Sequence, residues 1–258
     1  MKNIILAFLL LLVWQLGYSQ NEYTVREYIS QRNDTLKYRE LLPENYNAGG
    51  KYPLVLFLHG AGERGSDNHS QLVHGSGMFT NPVNREQYPA IVLFPQCPAE
   101  LFWSFDKRPT SGFGSDVFPS DHKIPIILQT VKDLLDQYIV SGVIDTDRIY
   151  IMGLSMGGMG TFEMVCRFPD MFAAAIPICG GINPVRLQAP AKKVMFRIYH
   201  GDKDDVVPVE NSRKAYRALK EYGGDVEYIE FVGCNHGSWD PAFNQPDFLS
   251  WLFAQKKK

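Results

Sequence analysis

Buried strands alternate with helices along this chain, which predicts an α/β fold: a mostly parallel central sheet with helices on both faces and an antiparallel hairpin at its amino-terminal edge. Three observations carry that expectation. Continuous apolar runs such as Leu54-Val55-Leu56-Phe57-Leu58 lack the two-residue alternation of a half-exposed strand, so they mark strands covered on both faces. Segments of helical period lie between such runs. The stretch Asp147–Gly160, DRIYIMGLSMGGMG, passes from a short apolar strand through a serine between glycines directly into a helix.

The elements follow in order. Two alternating runs, TVREYIS and TLKYREL, flank Arg32-Asn33-Asp34 and read as the edge hairpin. Residues 53–58 form the first buried strand and 90–95 the second. The polar segment 66–88 reads as loop with one helical turn. Residues 96–120 hold Phe102, Trp103, Phe105, Phe113 and Phe118 among Gly and Pro without any period, the mark of an ordered loop beside a functional site. A helix is expected over 122–141, with Pro125 in its first turn. Strands follow at 149–152, 173–178, 194–199 and 226–232, with helices after Ser155, at 209–222 and at 247–254.

With 258 residues, 45% hydrophobic and 21% charged, the chain can bury a full core without disulfides or metal. Its 26 basic and 28 acidic residues leave a formal charge of -2, which excludes the electrostatic footprint of a nucleic-acid partner or an anionic membrane surface. MKNIILAFLLLLVWQLGYSQ has one lysine, an apolar run from Ile4 to Val13, and Gly17 and Ser19 two apart. Residues 1–19 therefore read as a secretory signal peptide and 20–258 as a single domain that is secreted or periplasmic. The apolar run is shorter than the roughly 20 residues a membrane span needs, so no stable anchor is expected in the mature chain. Cys97, Cys166, Cys179 and Cys234 show no zinc spacing. Cys166 and Cys179 read as free buried thiols, and the disulfide state stays open.

Gly153-Leu154-Ser155-Met156-Gly157 is a nucleophile-elbow pattern. A serine hydroxyl is a poor nucleophile in water. It has to be held at a tight bend, near a base and near amide donors for a developing oxyanion. In sheets of this kind reactive groups gather at the carboxyl ends of strands. One such end carries Asp202, Asp204 and Asp205, all candidates for the acid; another carries His236, the candidate general base. His59 and His200 each precede glycine at a strand end and read as shapers of loop backbone. The oxyanion donors are expected to be the Met156 N–H and one from the His59–Gly62 loop, Ala61 first and Gly62 next. Glu63 and Arg64 fit either the cleft or a mutual ion pair. Trp103 and Trp239 are candidate substrate contacts, an indole being able to stack on a sugar or aromatic ring; packing of Trp239 against the last helix is the equal alternative.

GLSMGG at 153–158, HGAGERG at 59–65, HGDKDDVVP at 200–208 and NHGSWD at 235–240 resemble the α/β-hydrolase esterases. The likeness is to the branch holding feruloyl and acetylxylan esterases of carbohydrate esterase family 1, polyhydroxybutyrate depolymerase-like enzymes and the phospholipase/carboxylesterase group. It implies an α/β-hydrolase domain and a Ser155, Asp204, His236 triad; Asp205 departs from the pattern, which commonly has Pro or another neutral residue there. The implied activity is hydrolysis of a carboxylic ester, an acyl or feruloyl group on a polysaccharide, with no metal or cofactor. The alternatives are a serine peptidase of prolyl-oligopeptidase type and a non-enzymatic carbohydrate-binding relative.

Overall fold

The structure, a computed structural model, describes residues 22–106, 108–114 and 117–258, so the expected signal peptide lies outside the described residues. Eight strands form one sheet: β1 (Thr24–Ile29), β2 (Thr35–Leu41), β3 (Tyr52–Leu58), β4 (Ile91–Pro95), β5 (Ile144–Leu154), β6 (Ala174–Ile178), β7 (Met195–Gly201) and β8 (Val226–Phe231). Their spatial order is β1-β2-β4-β3-β5-β6-β7-β8. The pairs β1-β2 and β2-β4 are antiparallel, and every pair from β4 to β8 is parallel. The edge hairpin turns at Asn33, whose φ of 62° is the left-handed conformation that asparagine tolerates.

Alternate residues of the central strands feed two separate cores. Leu54, Leu56, Leu58, Ile149 and Ile151 point to one face, Val55, Phe57, Tyr150 and Met152 to the other. This is why the runs are apolar throughout instead of alternating. The helices are α1 (Ser76–Thr80), α2 (Pro82–Gln87), α3 (Ile126–Val140), α4 (Met156–Arg167), α5 (Glu210–Glu221), α6 (Trp239–Phe243) and α7 (Phe248–Phe253). The first face is covered by α3, α4 and α5, through Val131, Phe162 and Leu219 among others; α1, α6 and α7 cover the second with Phe79, Ala242 and Leu252. Among the described residues no helix is long and apolar enough to cross a membrane.

Three local expectations are corrected. The helix expected from residue 122 begins at Ile126, because Pro125 is extended (ψ 137°) and stands just before the first turn. Proline also disfavours the helical conformation for the residue before it, so the helix cannot extend back through Ile124. Residues 76–87 form two short helices where mostly loop was expected. Asn81 starts the second, its Oδ1 accepting from Val83 N (3.0 Å) and Asn84 N (3.3 Å), with Pro82 at the first helical position. The third correction is α6, which was not anticipated beyond the last strand.

The described aromatic residues of the aperiodic segment after β4 are held by what they bury. Phe102, Trp103, Phe113 and Phe118 belong to the first core. Asn211 Nδ2 donates to Phe113 O (2.6 Å) and Asn183 Nδ2 to Phe118 O (3.0 Å), tying the segment's backbone to α5 and to the loop after β6.

Candidate active site

β5 ends at Leu154 and α4 begins at Met156, leaving Ser155 as the single residue of the bend, with φ 53° and ψ −116°. The conformation is over-determined. Ser155 N donates to Ile178 O (2.9 Å), and Ser155 O accepts from Met159 N (3.0 Å). Gly157 lets α4 close on β3: a Cβ there would overlap the Leu58 carbonyl and lie 2.7 Å from the His59 oxygen.

The loops after β7 and β8 bring an imidazole and a carboxylate to this bend. His236 Nε2 is 2.9 Å from Ser155 Oγ, and its Nδ1 is 2.7 Å from Asp204 Oδ2. Because the carboxylate accepts, Nδ1 carries the proton, and the Nε2 lone pair faces the serine hydroxyl. Gly201 permits this approach: a Cβ there would come within 2.5 Å of Asn235 O. Among the three aspartates, Asp204 is the one at His236; Asp202 Oδ1 accepts from Gly233 N (2.6 Å), and Asp205 is exposed.

Asp204 has a fully buried side chain and four donors. Val206 N (2.9 Å) and Val207 N (2.8 Å) reach Oδ1, while His236 Nδ1 and His200 Nε2 (3.1 Å) reach Oδ2. Burial alone pushes such a carboxyl up, but the hydrogen bonds from His200, His236 and Val207 hold it well below the ordinary carboxylate range. His200 is itself wholly buried, sharing its Nε2–H with Val207 O (2.9 Å) and lying with Nδ1 2.7 Å from Ser212 Oγ.

His59 performs a comparable task at the end of β3. Its Nε2 accepts from Cys97 N (2.9 Å), so Nδ1 carries the proton and donates to Gly60 O (2.6 Å). A trans peptide directs its C=O and the next N–H to opposite sides, so the Ala61 N–H points away from His59. Burial lowers the His59 imidazole to about 4, keeping it neutral near pH 7. The Met156 N–H lies in the first turn of α4, where no carbonyl of the helix can accept it.

Ser155, His236, Gly60, Ala61, Gly62, Glu63, His74, Phe102, Arg108, Phe113, Leu154, Val206 and Trp239 line one cleft of about 300 Å³. Trp103 does not reach it. Its side chain is fully buried, its indole N–H donates to His59 O (3.0 Å), and its ring packs edge-on to His59, so it supports the loop from beneath. Trp239 is half-buried on the cleft wall, 5.4 Å from the His236 ring and 5.3 Å from that of His74. No ion pair joins Glu63 to Arg64 among the described residues. Arg64 instead donates to the carbonyls of Ala61 (3.0 Å), Ala99 (2.9 Å) and Leu101 (3.3 Å). His74, Arg108 and Val206 are cleft residues that sequence reasoning missed, since nothing local distinguishes them from loop residues. The four cysteines are free. Burial pushes the Cys166 thiol up to about 12 and raises Cys97 and Cys179 further, so none has the character of a nucleophile.

A hydroxyl, an imidazole and a carboxylate so arranged can transfer a proton from the first to the second while the third stabilises the resulting cation. A solved structure of a thermostable esterase is 37% identical to this chain, with a TM-score of 0.80, over 93% of this chain and 64% of that one. An uncharacterized secreted protein of Arthroderma benhamiae is 27% identical over 234 residues, 80% of this chain and 23% of its own. A bifunctional acetylxylan esterase/xylanase of Neocallimastix patriciarum is 36% identical over 92 residues, 34% of this chain and 14% of the relative. The chain spans about a quarter of the length of the first curated relatives it matches. The family model described as Phospholipase/Carboxylesterase matches residues 47–248, and with the sheet order and the strand-serine-helix bend in place the chain belongs to that family of α/β-hydrolases.

Proposed function

We propose that this protein is a serine esterase that cleaves carboxylic esters through an acyl-enzyme on Ser155. The observation that carries the reading is the unbroken chain from Ser155 Oγ to His236 Nε2 (2.9 Å) and from His236 Nδ1 to Asp204 Oδ2 (2.7 Å). His236 takes the serine proton as Ser155 attacks the carbonyl carbon, and Asp204 stabilises the imidazolium. The oxyanion is held by the N–H groups of Met156 and Ala61, with Gly62 adjoining. Collapse of the tetrahedral adduct passes the proton from His236 to the departing alcohol. Water, deprotonated by His236, then attacks the acyl carbon; the second adduct collapses with cleavage of the bond to Ser155 Oγ, His236 returns the proton to Oγ, and the carboxylic acid leaves.

The substrate this reading favours is an acyl or feruloyl group on a polysaccharide, met outside the cytoplasm after removal of residues 1–19. It is supported by the aromatic cleft wall of Phe102, Phe113 and Trp239 and by the partial likeness to an acetylxylan esterase. Replacing Ser155 with Ala abolishes turnover of p-nitrophenyl acetate, and a fluorophosphonate labels Ser155 in the unmodified protein; persistent turnover in the variant defeats the proposal. Acetate released from acetylxylan, or ferulate from feruloylated arabinoxylan, tests the substrate class, and release from neither removes it.

A further inference from the structure

Glu63 is a charged residue in the cleft that the proposed reaction does not use. It closes the 3-10 turn Ala61–Glu63, two residues beyond the proposed oxyanion donor. Its carboxylate lies over Gly60 beside Leu154: a Cβ on Gly60 would meet Glu63 Oε2 at 3.0 Å and the Leu154 side chain at 2.8 Å. Oε1 faces His74 Nε2 at 3.8 Å, beyond hydrogen-bonding distance, and Oε2 is shielded from solvent without a hydrogen-bond partner. The side chain is 14% exposed. The guanidinium of Arg64, the next residue, is spent on backbone carbonyls and makes no ion pair with Glu63 among the described residues.

A carboxylate there is a liability for a reaction that builds negative charge on the adjacent oxyanion. It also costs free energy to shield a carboxylate oxygen that accepts nothing. Both are relieved if the bound molecule brings a donor to it. Room for such a donor lies in the cleft of about 300 Å³ that Glu63 lines together with Ser155 and His236. Rotation about the terminal carboxylate torsion, which is broad, turns either oxygen to the cleft.

We infer that Glu63 is a substrate-recognition subsite that accepts a hydrogen bond from a donor, a hydroxyl or an ammonium, carried by the ester close to its scissile carbonyl. The inference rests on the esterase reading of the same cleft. Phe102, Phe113 and Trp239, with Leu154 and Val206, supply apolar walls of the cleft, and Glu63 supplies selection among esters that those surfaces accept equally.

The test compares kcat/KM for ethyl acetate, glycerol monoacetate and glycine ethyl ester in the unmodified protein, in Glu63→Gln and in Glu63→Ala. The preference of the unmodified protein for a donor-bearing ester over ethyl acetate is expected to fall by about tenfold or more in both variants, the size of a lost bond to a charged group. A fall confined to the glycerol ester identifies hydroxyls as the donor; a fall confined to the glycine ester identifies the ammonium. Because the ratio is taken within one variant, partial misfolding cancels. Ratios that do not move overturn the inference. So does an equal fall on all three esters, which would make Glu63 a prop of the oxyanion turn. If the unmodified protein turns over none of the three and Ser155 resists a fluorophosphonate, the esterase reading fails and this inference with it.

Discussion

The bend at Ser155 allows its backbone strain to be measured apart from its chemistry. With φ 53° and ψ −116°, Ser155 occupies a region that glycine enters freely and other residues enter at a cost of about 1–3 kcal/mol. Ala in its place keeps that cost and loses the hydroxyl; Gly loses both the hydroxyl and the cost. Glycine also loosens the unfolded chain, which offsets roughly 0.4–1 kcal/mol of the gain. Both variants forfeit the Ser155–His236 hydrogen bond, so it cancels from the comparison. Ser155→Gly is therefore expected to be more stable than Ser155→Ala by about 1 kcal/mol, or about 2–4 °C in Tm for a chain of this size. Calorimetric melting of the two proteins measures the difference, and a p-nitrophenyl ester assay establishes that both are inactive. A glycine variant melting at or below the alanine variant would refute the claim that the Ser155 conformation is strained.

Other predictions follow from single contacts. Gly157→Ala drives a methyl group into the Leu58 carbonyl and is expected to cost more than about 3 kcal/mol in urea unfolding; a loss below about 1 kcal/mol would mean that α4 can lift from β3 cheaply. Asp204→Asn removes the charge beside the imidazolium and is expected to lower ester turnover by roughly 10⁴-fold, whereas Asp205→Asn stays close to wild type; the reverse order would move the acid to Asp205. His59 titrates near 4 when folded and near 6.5 when unfolded. Between those values the unfolded chain binds the proton and the folded one does not, so stability falls as pH drops from about 6.5 towards 4, by about 2 kcal/mol at pH 5. His59→Asn should flatten that part of the urea-measured stability profile, and an unchanged slope would contradict the burial of a neutral imidazole.

The legible part of this protein was the part governed by short-range spacing. A serine one residue past an apolar strand and one before a helix can only be a bend, and the structure has that bend with the strand covered on both faces. His236 was distinguished from five other histidines by standing after the last strand, where the sheet's carboxyl edge brings it back to β5. Asp204 could not be separated from Asp202 and Asp205 by spacing alone, since the choice depends on which carboxylate the turn buries. Asn81-Pro82 was a readable helix start that the polar composition of residues 66–88 concealed. Trp103 was misjudged for a different reason. An indole in an aperiodic loop looks like a ligand platform until the contact that satisfies its N–H is known, and that contact, His59 O, lies 44 residues away.

The same limit explains why the two His-Gly pairs could be recognised as loop shapers without their separate tasks being visible. Each imidazole closes a strand end with one nitrogen donating to a backbone carbonyl, Gly60 O for His59 and Val207 O for His200. What differs is the second partner. His59 accepts from Cys97 N, a neighbour delivered by β4, and the effect is to orient the peptide that carries the Ala61 N–H. His200 reaches Asp204 and Ser212, delivered by the turn before α5 and by α5 itself, and the effect is to hold the carboxylate that faces His236. An imidazole with both nitrogens engaged in a dry strand end has no proton to give and no lone pair to lend. That is why, of these three buried or half-buried histidines, only His236, with Nε2 open to the serine and 18% of its side chain exposed, is equipped to move a proton.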